Sequence, residues 1–244
     1  MVIGLSACAG GAPPKPTWKS EDRVDVHVQL GWGYLQRDQL NIARTELEQA
    51  LALDSNHSRA NHIMAILQIR LKNPNVADRH FRRAVQSDPE NIDAKNDYGV
   101  FLCDRGRVAD GMRQFETALE SPLNKRLEMT YVRAGTCLVG AADLETAERY
   151  LRAALKIDPE LATALYLVAR IQHESGNDLS ARAHLQRFFD TGAVSSQSLL
   201  LAVQVERRLG AKDLETEYAR RLKASYPNSK EAQELGAVGE SGAQ

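Results

Sequence analysis

Residues 24–57 read VDVHVQLGWGYLQRDQLNIARTELEQALALDSNH, and the pattern of this stretch returns at a fixed interval to near the C-terminus. Small residues occupy one place in successive segments, namely Gly31, Ala65, Gly99, Gly135 and Ala169. A second small set is Ala43, Ala77, Gly111, Ala147 and Ala181, and large apolar residues follow it at Leu47, Phe81, Phe115, Leu151 and Leu185. Small residues facing large ones at helical spacing are typical of two helices packed at close distance.

Turn signals share the same interval. Asp88-Pro89, Asp158-Pro159 and Tyr226-Pro227 close their segments, and proline ends a helix because it lacks a backbone N–H donor. Gly106 and Gly176 lie at the turn within their segments, where glycine reaches a positive φ easily. A helix–turn–helix unit repeated about every 34 residues is the signature of the tetratricopeptide repeat (TPR). The sequence therefore predicts an all-α protein, a right-handed superhelical solenoid of six TPR helix–turn–helix repeats.

The predicted repeat boundaries follow from this register. The repeats span residues 24–57, 58–91, 92–127, 128–161, 162–195 and 196–229. The third repeat carries extra residues near Pro122, and the sixth is degenerate, with Val203 and Glu215 where other repeats have Gly or Ala. Terminal repeats depart from the pattern because one face meets solvent. Residues 230–244 are predicted to be a C-terminal tail with a disordered end.

The composition suits packed helices and argues against other classes. Hydrophobic residues make up 43% of the chain and aromatic residues 6%, which favours Ala- and Leu-rich helices over a β-sandwich. Because 31 basic residues balance 32 acidic ones, no basic surface for nucleic acid is predicted, and nucleic acid is not an expected partner. No apolar run approaches the roughly 18–20 residues that span a bilayer.

The N-terminal segment resembles the processing site of a bacterial lipoprotein. Leu5-Ser6-Ala7-Cys8 matches a lipobox, in which the cysteine is acylated, and small residues before it suit the peptidase. Residues 1–7 are then a signal peptide remnant, shorter than a full signal sequence, and residues 8–23 a lipidated Gly/Pro-rich tether. Ala9 permits export to the outer membrane, where lipoproteins retained in the inner membrane tend to have Asp. The alternative is a disordered N-terminus with an incidental cysteine.

The remaining polar residues predict no catalytic or metal site. The three cysteines, Cys8, Cys103 and Cys137, are far apart in sequence, so we predict neither a disulfide framework nor a zinc site. Cys103 and Cys137 fall on different faces of their helices and are expected to be small buried or half-buried residues. His80 and His184 stand at matching places in two repeats, which indicates repeat architecture rather than a ligand pair. An enzyme is not expected, and no cofactor is predicted beyond a covalent lipid on Cys8.

The first helix of each TPR lines the concave face, so particular positions are predicted to form a partner-binding groove. The candidates are Val28, Trp32, Leu35 and Gln36 in repeat one, His62, Ile66, Ile69 and Arg70 in repeat two, and Val100 in repeat three. An apolar patch on a solvated face marks a partner site, and Trp is favoured among residues that contribute most binding energy. Two alternatives stay open. The leader could cover this patch, or a register error of one residue would place some candidates in the core.

Two strings resemble a particular family. Residues 29–37, QLGWGYLQR, and residues 96–107, NDYGVFLCDRGR, are similar to signatures of the type IV pilus biogenesis TPR lipoproteins, the pilotins, with Asp38 and Asp97 as departures. The resemblance covers about residues 24–229 and extends to Cys8 through the lipobox.

The resemblance implies an outer-membrane, periplasm-facing lipoprotein that binds pilus secretin subunits. Such a protein promotes their outer-membrane localisation and multimerisation, and thereby supports pilus biogenesis and twitching motility. We expect a monomer anchored to the outer membrane through Cys8. The alternative is a general periplasmic TPR adaptor for another cell-envelope complex, which would share the scaffold but not the two strings.

Overall fold

A computed structural model of the chain describes residues 20–241, and every regular element in that range is an α-helix. The helices are α1 (Ser20–Gln36), α2 (Leu40–Leu53), α3 (Ser58–Arg70), α4 (Pro74–Ser87), α5 (Ile92–Asp104), α6 (Val108–Glu120), α7 (Leu127–Gly140), α8 (Leu144–Ile157), α9 (Ala162–Glu174), α10 (Asp178–Asp190), α11 (Ser196–Arg208), α12 (Lys212–Ser225) and α13 (Lys230–Ser241). Each predicted repeat holds one helix pair, here called helix A and helix B. The predicted all-α TPR fold is confirmed.

The chain divides into two compact units. In the part described, the N-terminal unit up to Pro89 contains α1–α4, and the C-terminal unit from Glu90 contains α5–α13. Within each unit, the two helices of a repeat pack against each other, and helix B also packs against helix A of the next repeat. Each unit therefore builds its core by stacking neighbouring pairs.

The small residue of helix A makes room for the large residue of helix B. A Cβ atom added at Gly31 would lie 2.7 Å from Cγ of Leu47, and one at Gly135 would lie 2.7 Å from Cγ of Leu151. Both leucines are fully buried. Glycine at these positions allows the close approach of the paired helices that the sequence pattern predicted.

Every helix A in the described range is followed by a residue with positive φ. The set is Asp38, Lys72, Gly106, Ala142, Gly176 and Gly210, with φ between 58° and 81°. This left-handed residue ends the helix and turns the chain into helix B. Only glycine adopts the conformation without a steric penalty, so Asp38, Lys72 and Ala142 hold strained backbone.

Replacing Ala142 by Gly is therefore expected to stabilise the protein. Ala142 has φ of 60°, and relief of its Cβ contact outweighs the added entropy of the unfolded chain, for a gain of about 0.5–1 kcal/mol. Urea denaturation followed by circular dichroism measures the change. The neighbouring variant Ala141→Gly is the control, because Ala141 has φ of −89° and its replacement should lower stability. Equal losses of stability in Ala142→Gly and Ala141→Gly would contradict the inferred backbone strain at Ala142.

Both ends of the helical region extend beyond the predicted repeats. Helix α1 begins at Ser20, inside the segment 8–23 predicted to be a tether, because no proline or glycine interrupts residues 17–30. Helix α13 occupies Lys230–Ser241 of the segment predicted to be a C-terminal tail, so this part of the tail is helical. Its Ala232 and Leu235 are buried beside Leu199, Val203 and Leu222, which explains why this segment folds. The predicted signal remnant and Cys8 lie outside the described residues.

The prediction that Cys103 and Cys137 form no disulfide is wrong. They are bonded to each other, with their Cα atoms 5.7 Å apart. Cys103 is the twelfth residue of its repeat and Cys137 the tenth of the next, and helices α5 and α7 pack side by side. Residues on different faces of equivalent helices meet when the repeats stack. Leu35 and Leu67 hold the same two positions in repeats one and two, and both are buried in one core cluster.

Candidate partner-binding surface

Several predicted groove residues lie in the core of the N-terminal unit instead. Val28 and Leu35 are fully buried and pack with Leu47 of α2 and Met64 of α3. The prediction that they line an open groove is therefore corrected. The physical reason is the stacking of repeats, because Val28 and Leu35, the fifth and twelfth residues of repeat one, pack in one core cluster with residues of helix A of repeat two.

Three groove residues predicted in repeat two, His62, Ile66 and Ile69, differ in how far they are buried. His62 is only 8% exposed and lies beside Phe81, with 6.1 Å between ring centroids, so its assignment to the groove is also corrected. Ile66 is half-buried against the same core, whereas Ile69 is 42% exposed. Ile69 is therefore the most exposed of the three and the one whose apolar side chain is accessible to a partner.

Arg70 and Gln36 are exposed, and Arg70 already has contacts within the protein. Its Nη1 donates to the backbone carbonyl of Leu35 at 2.9 Å and lies 3.4 Å from a carboxylate oxygen of Asp38. This guanidinium joins helix A of repeat two to the end of helix A of repeat one. Arg208 donates to the carbonyl of His173 at 2.9 Å in the same way, so the contact is part of the repeat architecture.

Trp32 is half-buried, with part of its ring packed on the core of the N-terminal unit. Trp32, Gln36 and Ile69 are the remaining accessible candidates without a described polar contact, and we call this set the inner face of repeats one and two. Val100 belongs to the C-terminal unit, where it is half-buried against the core cluster of Phe115, Ala134 and Cys137. The structure thus reduces the nine predicted groove residues to a smaller accessible set.

Other apolar residues of α1 are exposed but were absent from the prediction. Val26 is 48% exposed and Leu30 is 42% exposed, and Gly33 continues the same side of the helix. The sequence carries a signal for this surface, because apolar residues at these positions should be covered by a preceding repeat. We call Val26, Leu30 and Gly33 the end face of repeat one.

The side chains of His80 and His27 make polar contacts within the protein. His80 Nδ1 lies 2.9 Å from the side-chain oxygen of Asn61, and burial lowers the pKa of His80, with smaller effects from Arg83 and Arg79. The paired positions recur as His27 with Glu46, at 2.8 Å, which agrees with the interpretation of His80 as repeat architecture. Within residues 20–241, no group of three or more His, Cys, Asp or Glu side chains is arranged to hold a metal ion. Among those residues no helix is both long and apolar enough to span a membrane.

The stacked helix pairs define a tetratricopeptide-repeat protein, and a tetratricopeptide-repeat family profile matches residues 132–188. The type IV pilus assembly protein PilF of Pseudomonas aeruginosa is 27% identical over 238 residues, covering 96% of this chain and 94% of that protein. Comparison with known proteins therefore confirms the resemblance to the TPR proteins of type IV pilus biogenesis.

Solved structures agree with this assignment. The structure of P. aeruginosa PilF superposes with a TM-score of 0.80 and 26% identity, covering 90% of this chain and 99% of that one. PilW, described as a widely conserved type IV pilus biogenesis factor, gives a TM-score of 0.79 and 27% identity, covering 87% and 97% of the two chains. The likeness thus extends over most of each chain rather than over single repeats.

Proposed function

We propose that this chain is an outer-membrane lipoprotein pilotin, which binds type IV pilus secretin subunits and promotes their outer-membrane localisation and multimerisation. The observation that carries the proposal is the similarity to PilF over 96% of the chain, together with the fold shared with PilW. A scaffold of stacked helix pairs binds proteins through its exposed faces, so the proposed activity needs no catalytic group.

The disulfide supports placing the protein outside the cytoplasm. Disulfides persist in oxidising compartments such as the bacterial periplasm and are rare in the cytosol. The Cys103–Cys137 bond joins consecutive repeats and is independent of the N-terminal lipobox. Two separate features, the bond and the Leu5–Cys8 motif, therefore favour an exported protein facing the periplasm.

The two parts of the proposed pilotin have different tasks. A lipid on Cys8 would anchor the chain, and the inner face of repeats one and two would hold a secretin segment. Joining a binding site to an anchor raises the local concentration of bound subunits at the membrane, which favours their assembly without new contacts. Repeat one is the repeat nearest to Cys8 in sequence, so a subunit held there would be kept near the membrane.

The experiment that tests this function is secretin assembly in a strain lacking the gene. Wild type is expected to restore heat-stable secretin multimers in the outer membrane and twitching motility. Cys8→Ala should leave most secretin unassembled or in the wrong membrane, because the variant binds subunits without an anchor. Metabolic labelling with a clickable fatty acid checks acylation. Full multimer assembly in the deletion strain without any complementation would contradict the proposal.

The inner face is tested by Trp32→Ala combined with Ile69→Asp. We expect secretin co-purification to fall by about tenfold or more, since an aromatic anchor and an exposed apolar contact are both lost. Far-UV circular dichroism should stay unchanged, because Ile69 is exposed and Trp32 is half-buried. Leu179→Asp is the matched control, with an apolar residue 71% exposed on α10. Unchanged binding in the double variant would rule out this face.

A further inference from the structure

The end face of repeat one is an apolar helix surface that no element in residues 20–241 covers. Val26 and Leu30 are 48% and 42% exposed, and a Cβ atom added at Gly33 would meet nothing within 4 Å. These residues are the third, seventh and tenth of repeat one. They lie on the side of α1 opposite to Val28 and Leu35, which are fully buried.

The same three positions are buried in the later repeats. In repeat two they are Ala60, Met64 and Leu67, and in repeat five Ala164, Val168 and Ile171, none more than 3% exposed. Ala134 and Cys137 in repeat four, and Ala202 and Val205 in repeat six, are likewise buried. The third, seventh and tenth positions are therefore an interface in each of these repeats.

Each of these interfaces is covered by the preceding repeat, chiefly by its helix B, and the tenth position also meets its helix A, as in the Cys103–Cys137 bond. Ala164, Val168 and Ile171 of α9 share a core cluster with Leu151 and Ala154 of α8. Met64 of α3 is clustered with Leu47 and Ala50 of α2 in the same way. A short connection makes such consecutive helices antiparallel neighbours. The chain thus shows repeatedly which kind of element this face accepts, namely an antiparallel amphipathic helix.

At the C-terminal end of the chain, one helix without a further repeat is enough to cover the last helix pair. There α13 places Ala232 and Leu235 over Leu199, Val203 and Leu222, where a further repeat would otherwise stack. This helix also occupies the surface that a head-to-tail copy of the chain would need. The segment before α1 contains Pro13, Pro14 and Pro16, residues that interrupt a helix. Neither a second copy nor that segment is therefore the favoured occupant.

We infer that the end face of repeat one seats an amphipathic α-helix of a partner protein, antiparallel to α1, in the place that helix B of a preceding repeat would take. The inference deepens the proposed function and rests on it in one respect, since the partner is then a secretin subunit. Its helix presents apolar residues at i, i+3 or i+4, and i+7. Because Gly33 stands where other repeats have large residues such as Leu67 and Ile171, the partner supplies a large apolar side chain opposite it.

Gly33→Arg gives a selective test. The new side chain points into open space, and a helical residue replaces glycine, so the folded protein should be at least as stable as wild type. The arginine side chain would, however, occupy the space beside α1 that the partner helix needs. We expect Gly33→Arg and Leu30→Glu each to weaken binding of the purified secretin subunit at least about tenfold. Gln29→Arg, an exposed change beside the end face, should leave binding within about twofold.

A photo-reactive residue at position 30 identifies the occupant. Cross-links to an amphipathic helical segment of the secretin subunit would support the inference. Cross-links confined to an extended secretin segment, to residues 1–19 of the same chain or to a second copy would overturn it. So would unchanged binding by both Gly33→Arg and Leu30→Glu.

A wild-type protein that fails to bind secretin would instead defeat the proposed function. The end face is then tested by NMR with a helix-stapled peptide of the α8 sequence, LETAERYLRAALKI. Chemical-shift changes at Val26 and Leu30 that disappear in Gly33→Arg would support helix binding at the end face of repeat one. Absence of such changes in wild type would overturn it.

Discussion

Removing the Cys103–Cys137 disulfide is expected to lower the free energy of unfolding by about 3–4 kcal/mol. The bonded cysteines are separated by 34 residues, so the bond closes a loop of about one repeat in the unfolded chain. Closing that loop restricts the unfolded ensemble, and the entropy is recovered when the bond is cut. Cys137 is 8% exposed, and a similarly small replacement keeps the packing of α7 against α6.

Urea denaturation of the Cys103→Ala/Cys137→Ala variant measures this loss. A reductant should lower the midpoint of wild type and have no effect on the variant, which separates loss of the bond from loss of packing. Cys8→Ser is the control, because the described disulfide does not involve Cys8. Equal midpoints for wild type with and without reductant, once reduction is verified by thiol counting, would contradict the expected stabilisation.

Arg182→Met is expected to cost about 3 kcal/mol, because it leaves a buried carboxylate without its partner. Glu206 of α11 is only 3% exposed, and its Oε1 accepts a hydrogen bond of 2.9 Å from Nε of Arg182. Nη2 of Arg182 also contacts the second carboxylate oxygen. The hydrogen bond with Glu206 is the main cause of a raised pKa of Arg182. The pair joins repeats five and six, so its loss weakens their stacking.

The double variant Arg182→Met/Glu206→Met distinguishes the buried charge from general damage. Removing both partners should restore most of the stability lost in Arg182→Met, because no unpaired charge remains. Arg220→Met is the control for an exposed pair, since Arg220 and Glu217 are 69% and 47% exposed and should contribute little. A double variant no more stable than Arg182→Met would show that the charge of Glu206 is not the cause.

The sequence alone determined the fold because the two helices of one repeat pack closely, which requires a small residue on one helix opposite a large residue on the other. Gly31 with Leu47 and Gly135 with Leu151 are pairs inside a helix hairpin, and their spacing is local. Local contacts repeat with the period of the chain, so they are visible without coordinates. The turn residues Gly106 and Gly176 belong to the same class, and both have positive φ.

The predicted groove was less accurate because its residues depend on contacts between repeats. Trp32 and Ile69 retain accessible surface, whereas Val28 and Leu35 are core residues. A position on helix A faces solvent or the next helix A according to how far successive repeats rotate. That rotation is set by side chains in two different repeats, so one repeat by itself does not specify it.

Sequence by itself thus determined an all-α TPR protein and its resemblance to the TPR proteins of type IV pilus biogenesis. Tertiary structure alone decided that Cys103 and Cys137 are bonded, and that Val26 and Leu30 are exposed where equivalent residues are buried. The physical reason is the same for both results. Pairing within a repeat is encoded by short-range spacing, whereas the neighbour that a helix face meets depends on which helix stacks against it.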